Sequence, residues 1–276
     1  MKLAILSGKG GTGKTTISTN LALALKFNYV DCDIEEPNGF IFLKPEIESE
    51  EHIRVDYPLV DDQLCNQCGL CVKHCAFNAL TNVKEDILLF QKLCHGCGVC
   101  EWVCPQDAIH YEKRVIGKIQ IAKANQLTCQ QGVLNISEPM AVPIIKNLLQ
   151  NTRDKSYVID CPPGTSCNVV NTLQYASAAI LVTEPTKFGL NDLERAVELV
   201  KMYKIPFGII INKDDGQKNL IRQFAERENI QILDALSYSL DIAKSYAKGD
   251  LLYKLPTYQK KFEDMAEIIK EAFQWS

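Results

Sequence analysis

The chain has 276 residues, 46% of them hydrophobic and 23% charged, with a formal net charge of −4. This is the balance of an ordinary globular protein, long enough for one large α/β domain or a domain plus a small module, and its acidity excludes a general attraction to nucleic acid. No apolar run reaches the length of a membrane span, and the first residues enter a strand with no room for a signal peptide, so a cytoplasmic protein without stable membrane insertion is expected.

Residues 2–6 predict a short buried strand. From Thr15 the pattern turns helical, with Ile17, Leu21, Ala24 and Leu25 on one face. Between them runs Gly8-Lys9-Gly10-Gly11-Thr12-Gly13-Lys14-Thr15-Thr16. A Gly-rich turn between strand and helix aims backbone N–H groups and the helix N-terminus at one point, which suits a phosphate. Gly8, Gly13, Lys14 and Thr15 fit the P-loop pattern G-x-x-x-x-G-K-[ST]. Gly8, Gly10 and Gly13 also fit the dinucleotide pattern G-x-G-x-x-G, with Asp31 or Asp33 where that fold wants its ribose-binding acid. Lys14 and Thr15 favour the P-loop. A dinucleotide fold needs neither a lysine nor a hydroxyl at the helix start, and a nucleoside triphosphate with Mg²⁺ needs both.

Residues 28–33 predict a second strand ending in two acids. A Glu-Glu-Pro-Asn-Gly turn follows within 34–43, and then a charge run, Glu46, Glu48, Glu50 and Glu51, read as a solvated surface segment. Residues 114–136 predict a hairpin, 139–149 a helix, 156–160 a strand ending at Asp160, and 178–183 another strand. Helices are expected at 189–203, 216–228, 239–247 and 258–273, with strands at 207–211 and 230–233. Alternating strands and helices predict an α/β fold with a parallel sheet covered by helices on both faces. The last helix carries Phe262, Met265, Ile268, Ile269 and Phe273 on a stripe. Its polar face mixes Lys and Glu, so packing against the domain is expected instead of a membrane surface.

Residues 61–111 hold an internal repeat. Of twelve cysteines, eight fall between Cys65 and Cys104, and each in the first copy has a counterpart 29 positions on: Cys65 and Cys94, Cys68 and Cys97, Cys71 and Cys100, Cys75 and Cys104. In a cytoplasmic chain such clusters point to metal or redox chemistry, not disulfides. C-x-x-C-x-x-C-x-x-x-C, twice, is the bacterial ferredoxin run, in which the fourth cysteine of one copy serves the other copy's cluster. On that rule Cys65, Cys68, Cys71 and Cys104 hold one [4Fe–4S] cluster, and Cys94, Cys97, Cys100 and Cys75 hold a second. Zinc also uses paired C-x-x-C, but it leaves the third cysteine of each copy unexplained. Gly69, Gly96 and Gly98 let backbone approach sulfur, while His74 and His95 are read as surface side chains. Ala76 stands in the first copy where Pro105 stands in the second, a change that removes no ligand. The repeat marks an inserted module over 58–113, dividing the surrounding domain into 1–57 and 114–276. Cys32, Cys129, Cys161 and Cys167 are expected as free buried thiols.

Lys9-Gly10-Gly11-Thr12-Gly13-Lys14-Thr15 is the deviant Walker A motif, with a second lysine ahead of the usual one. Together with Asp31-Cys32-Asp33, Asp160-Cys161-Pro162-Pro163-Gly164, the stretch from Thr183 to Gly189, and Asn212-Lys213, it makes the chain resemble a MinD/Mrp-type P-loop ATPase with an inserted two-cluster ferredoxin domain. The ParA partition ATPases and the nitrogenase iron protein are related families. The resemblance implies ATP and Mg²⁺. Lys14 would neutralise phosphate oxygens, Thr16 contact the α-phosphate, and Thr15 and Asp160 hold Mg²⁺. Gly164 would offer its N–H to the γ-phosphate, and Asp33 would position the attacking water. Lys9 would reach across a homodimer, or a heterodimer with a paralogue, to the second nucleotide. Asn212-Lys213-Asp214-Asp215 fits the guanine-reading N-K-x-D, whereas the resemblance implies that Asn212 contacts adenine, and ATP is expected over GTP. Cys167 lies seven residues after Asp160, as does a bridging-cluster cysteine in the nitrogenase iron protein, with Cys129 as a candidate second ligand.

Three functions remain open. One is an ATPase coupling nucleotide state to electron transfer toward a redox protein partner. The second is an iron–sulfur assembly or carrier protein, although that branch uses a C-x-x-C near the C-terminus and no cysteine follows Cys167 here. The third is a positioning ATPase.

Overall fold

The computed structural model describes residues 1–275 except 85, 125, 153, 154 and 218. In chain order the elements are β1 (Lys2–Leu6), α1 (Lys14–Leu25), β2 (Asn28–Asp31), α2 (Gly39–Leu43), β3 (Glu46–Val60), α3 (Leu70–Lys73), β4 (Leu80–Val83), β5 (Asp86–Leu89), α4 (Val99–Trp102), β6 (Ile109–Ala124) and β7 (Leu127–Leu134). There follow α5 (Val142–Gln150), β8 (Tyr157–Asp160), α6 (Cys167–Leu173), β9 (Ala178–Thr183), α7 (Lys187–Met202), β10 (Phe207–Asp214), α8 (Leu220–Arg227), β11 (Ile232–Ser237), α9 (Leu240–Ala247) and α10 (Pro256–Ala272).

Nine strands form one sheet in the order β11-β10-β9-β1-β8-β2-β7-β6-β3. From β11 to β7 all neighbours are parallel. Their sequences are nearly continuous apolar runs, because a central parallel strand is covered on both faces. Every residue of β8 and β9 is buried. Two cores lie on opposite faces. One is built from α5, α6, α7 and α8, with Ile144, Leu148, Val197 and Phe224. The other is built from α1 and α10, with Ile17, Leu21, Phe262, Met265 and Ile269. The apolar stripe of α10 is therefore consumed by the domain. Among the described residues no helix is long and apolar enough to cross a membrane.

The sheet departs from the sequence reading at one edge. The acidic run at 46–51 is not a loose surface segment; it begins β3, a 15-residue edge strand antiparallel to β6. Its carboxylates are solvated, as expected, yet Glu50 meets Lys118 and Gln120 across the pair and Glu48 meets Lys123. Charged side chains on an unpaired edge also discourage strand addition. The turn at 34–43 contains α2, and the helix expected at 216–228 starts at Leu220, with Lys218 outside the described residues.

β6 pairs with β7 only from Gly117 onward. Below that point β3 and β6 continue alone as a ribbon, closing at Val60 opposite Ile109. The repeat is carried at the ribbon's tip, where β4 and β5 form a separate two-stranded sheet. The strands run unbroken through residues 58–60 and 109–113, so the ribbon, and not a flexible linker, joins tip to sheet.

Truncating Phe262 in α10, which is fully buried, should cost about 3–5 kcal/mol of stability as Phe262→Ala. Met202→Ala, at a position 78% exposed, should stay within about 0.5 kcal/mol. Urea unfolding of the two variants measures both.

Candidate functional site

β1, β2, β8 and β10 all point their C-terminal ends to one side of the sheet. Ligands of open α/β sheets bind there, where strand order reverses about β1. The 7–13 loop follows β1 and delivers the chain into α1. Gly13 caps α1 with φ +90°, a left-handed conformation that costs glycine little. A Cβ at Gly13 would also collide with the Asn212 side chain. Asn212 donates its Nδ2–H to the Thr12 carbonyl at 2.8 Å, so β10 braces the loop. The first-turn amides of α1 have no intrahelical acceptor and are available to an anion.

Lys14 is 7% exposed and sits 3.4 Å from Asp160 Oδ1 and 3.9 Å from Asp33 Oδ2. Burial acts to lower its pKa, but Asp160, Asp33 and Asp31 outweigh burial and raise it, so Lys14 stays cationic. Asp160 is fully buried at the end of β8. Its Oδ2 accepts from the Ser18 hydroxyl at 2.9 Å and the Tyr29 hydroxyl at 3.1 Å. Its Oδ1 has no hydrogen-bond partner. A buried carboxylate oxygen that is ion-paired to Lys14 but, among the described residues, accepts no hydrogen bond, beside a phosphate-type loop, fits a divalent cation, whose hard charge prefers oxygen ligands. Thr15 lies beside it on α1 and is likewise buried.

Asp31 and Asp33 have different jobs. Asp31 is fully buried. Its carboxylate accepts from the backbone N–H of Asp33 at 3.0 Å, Asn38 at 3.2 Å and Gly39 at 3.0 Å, and from the Tyr29 hydroxyl at 3.3 Å. It holds both ends of the 33–39 loop. Burial, reinforced by Asp160, pushes Asp31 up to about 7. Asp33 is half-buried and opens toward the site; burial, opposed by Lys14, pushes it up to about 6.

The structure places the remaining predicted residues as follows. Lys9 is half-buried and Gly10 and Gly11 are exposed on the loop. Among the described residues the Lys9 ammonium has no carboxylate partner. A Cβ on Gly8 would strike the backbone of Asp192 in α7, which fixes how closely the loop and α7 pack. Thr16 lines, with Gly11, Gly13, Asn212 and Lys213, a cavity of about 300 Å³ whose far wall is Tyr238, Ile242 and Tyr246. Asp214 and Asp215 do not line it. Asp214 pairs with Arg222, and Asp215 accepts from the Gln217 amide. The Gly164 amide, expected to be free for a ligand, donates to the Ser7 carbonyl at 2.9 Å, so the 161–166 loop is tied to the glycine loop.

Two cysteine expectations need correction. Cys129 is fully buried within β7, so it is no partner for Cys167. Cys167 is exposed and not a core thiol. Burial raises the thiols of Cys32, Cys129 and Cys161, which keeps them neutral and inert.

At the ribbon tip the structure brings the eight remaining cysteines into two cavities. Cys65, Cys68, Cys71 and Cys104 line one, with Val60 and Ile109. Cys75, Cys94, Cys97 and Cys100 line the other, with Phe77 and Tyr111. Among the described residues no three of these thiols converge at the spacing of a single metal ion.

Sequence reasoning missed Ser18, Tyr29 and the aromatic wall. Tyr29 had a usable signal: it is two residues from Asp31 on a strand and so shares its face. The wall at 238–246 comes from a segment with no motif.

Because the folded state binds the Asp31 proton more tightly than the unfolded chain, this group contributes stability that is lost as pH rises from about 4 to about 7. Denaturant midpoints of the ligand-free chain should therefore fall across that window, and Asp31→Asn should flatten the slope.

Residues 3–252 match the family described as the CobQ/CobB/MinD/ParA nucleotide binding domain. A protein of Methanocaldococcus jannaschii described as uncharacterized is 34% identical over 261 residues, covering 91% of this chain and 90% of its own length. An iron-sulfur cluster carrier protein of Pyrococcus horikoshii is 25% identical over 303 residues, covering 96% of this chain and 84% of its own. Among solved structures, the septum site-determining protein MinD complexed with Mg-ADP from Pyrococcus horikoshii superposes with a TM-score of 0.61. That likeness, at 18% identity over 98% of this chain and 96% of the other, is one of fold. The chain belongs to the CobQ/CobB/MinD/ParA family of nucleotide-binding domains and is of the MinD/Mrp type.

Proposed function

We propose that this chain is an ATP-hydrolysing dimer that couples its nucleotide state to electron transfer through two [4Fe–4S] clusters. One observation carries the reading: the sheet that holds the phosphate-type loop extends without a break, through β3 and β6, to a tip where eight cysteines fall into two sets of four. Four thiols around a cavity, not gathered at single-ion spacing, suit a cubane better than zinc. The amides of Gln67, Ala79, Gly96 and Ala108 already donate to cysteine sulfur, the outer-shell bonding expected of thiolate ligands. When bound, such clusters store and pass single electrons, and Mg²⁺ neutralises phosphate charge.

At the other end, Lys14 and the first-turn amides of α1 take the β- and γ-phosphate oxygens, and Thr15 with Asp160 holds Mg²⁺. Asp33, beside Lys14, orients the attacking water and accepts its proton. Lys9, without a carboxylate partner among the described residues, reaches the nucleotide of a second copy and stabilises charge as phosphate oxygens develop it. The cavity bounded by Asn212, Tyr238 and Tyr246 receives the base. Among the described residues no carboxylate lines it to read a guanine edge, which favours adenine. To accept the γ-phosphate, Gly164 must exchange its bond to Ser7, which gives the 161–166 loop two positions.

A second reading is cluster delivery, favoured by the relative named an iron-sulfur cluster carrier protein. Transfer of iron and sulfide from the loaded chain to an apo-acceptor would establish it in place of electron transfer.

Asp33→Asn should keep ATP binding within a few-fold and lower hydrolysis by about 10²–10³, while Lys14→Ala should lose both. Hydrolysis by the native chain should fall as pH is lowered through about 6, where Asp33 takes up a proton. Anaerobic reconstitution should load about eight iron atoms per chain. Cluster potentials or acceptor-reduction rates should then differ with and without Mg-ATP; identical values in the two states would refute the coupling.

A further inference from the structure

The two cysteine cavities are near-copies related by the repeat. Amide donors reach sulfur at matching places: Gln67 to Cys65 and Gly96 to Cys94, both at 3.4 Å, and Ala79 to Cys75 and Ala108 to Cys104, both at 3.3 Å. Among the described residues these four bonds fall two to each cavity, at corresponding positions of the repeat.

Tyr111 breaks that correspondence. Its phenol oxygen lies 3.2 Å from Cys100 Sγ, and its side chain lines the cavity of Cys75, Cys94, Cys97 and Cys100. The repeat places Asn82 where Tyr111 has its counterpart, 29 positions earlier. Asn82 is exposed, and among the described residues it makes no hydrogen bond to Cys71. A thiolate bound to iron can only accept, so the phenol is the donor there. Reduction of a cluster adds negative charge that spreads onto its sulfurs. An O–H dipole aimed at one of them stabilises the reduced form more than the oxidised form.

We propose that Tyr111 selectively raises the reduction potential of the cluster held by Cys75, Cys94, Cys97 and Cys100, biasing a shared electron toward it. The proposal rests on reading the cysteines as ligands of two [4Fe–4S] clusters. Each cluster takes one electron from an external reductant, and Tyr111 keeps its proton throughout. The stacked rings of Phe77 and His95, 3.8 Å apart, line the same cavity and are a second influence on its potential. The contribution of Tyr111 is therefore read as a difference between the variant and the native chain, not as the order of the two potentials.

The test is an anaerobic redox titration of the reconstituted full chain, followed by electron paramagnetic resonance, for the native protein and Tyr111→Phe. Phenylalanine keeps the ring and removes only the donor. One of two reduction steps should move to lower potential by up to a tenfold change in its equilibrium constant, about 59 mV for a one-electron couple, while the other stays. A companion chain with Cys68→Ser marks the first cluster by changing one of its ligands. The step displaced by Tyr111→Phe must be the one that Cys68→Ser leaves in place. Displacement of the Cys68-marked step, of both steps equally, or of neither would overturn the proposal. Iron content and visible spectra that fail to show two clusters in the native chain would instead overturn the ligand reading beneath it.

Discussion

Three carboxylates share one ammonium at the heart of the sheet. Asp31, Asp33 and Asp160 stand at the ends of adjacent strands, and Lys14 is the cation among them. In a poorly screened interior such an excess of negative charge is costly, and the surroundings are arranged to spread it. The Tyr29 hydroxyl lies within hydrogen-bond distance of two of the acids, Ser18 donates to one, and three loop amides turn toward Asp31. The 33–39 loop answers this need directly, through its amides on Asp31, and the glycine loop answers it through Lys14, while the 161–166 loop is tied to the glycine loop by the Gly164 amide. The Asp160 oxygen that faces Lys14 and, among the described residues, accepts no hydrogen bond is the place a metal cation would complete.

The second organising feature is the edge of the sheet. Parallel strands that are buried on both sides end the sheet badly, because an apolar strand cannot face water. Here β7, β6 and β3 grade from buried to solvated, and the long acidic strand finishes the series. The same antiparallel turn that ends the sheet also lets two strands run past it, and those two strands carry the repeat. The cysteine repeat is thus carried by an extension of the sheet's margin.

Much of this was legible in the residues. The central strands announced themselves as apolar runs between turn signals, and the glycine loop, Asp160 and the cysteine spacing each carry chemistry that few other patterns share. What escaped has a common cause. Glu46 to Glu51 were read by charge alone, but a strand at an edge can be wholly polar on its outer side when its partner, β6, supplies lysines opposite. The Tyr29 hydroxyl matters only because β8 lies beside β2, and the wall formed by Tyr238, Ile242 and Tyr246 exists only because the chain end folds back over the glycine loop. Pairings between distant segments leave no local mark. Cys167 and Cys129 show the converse: the spacing of Cys167 from Asp160 invited a ligand role with Cys129 as candidate partner, and burial of one against exposure of the other separates them.

The ribbon below Gly117 has a mechanical consequence. Its two strands pair with each other along their projecting length, and near the root Arg114 meets Glu138 while Asn135 bonds the Val115 and Ile116 carbonyls, so the ribbon is braced where it leaves the sheet. That root adjoins β7, which pairs with β2, whose end carries Asp31 and the 33–39 loop. The cysteine cavities are thus joined to the strand end that carries Asp31 through an unbroken series of paired strands, β6, β7 and β2.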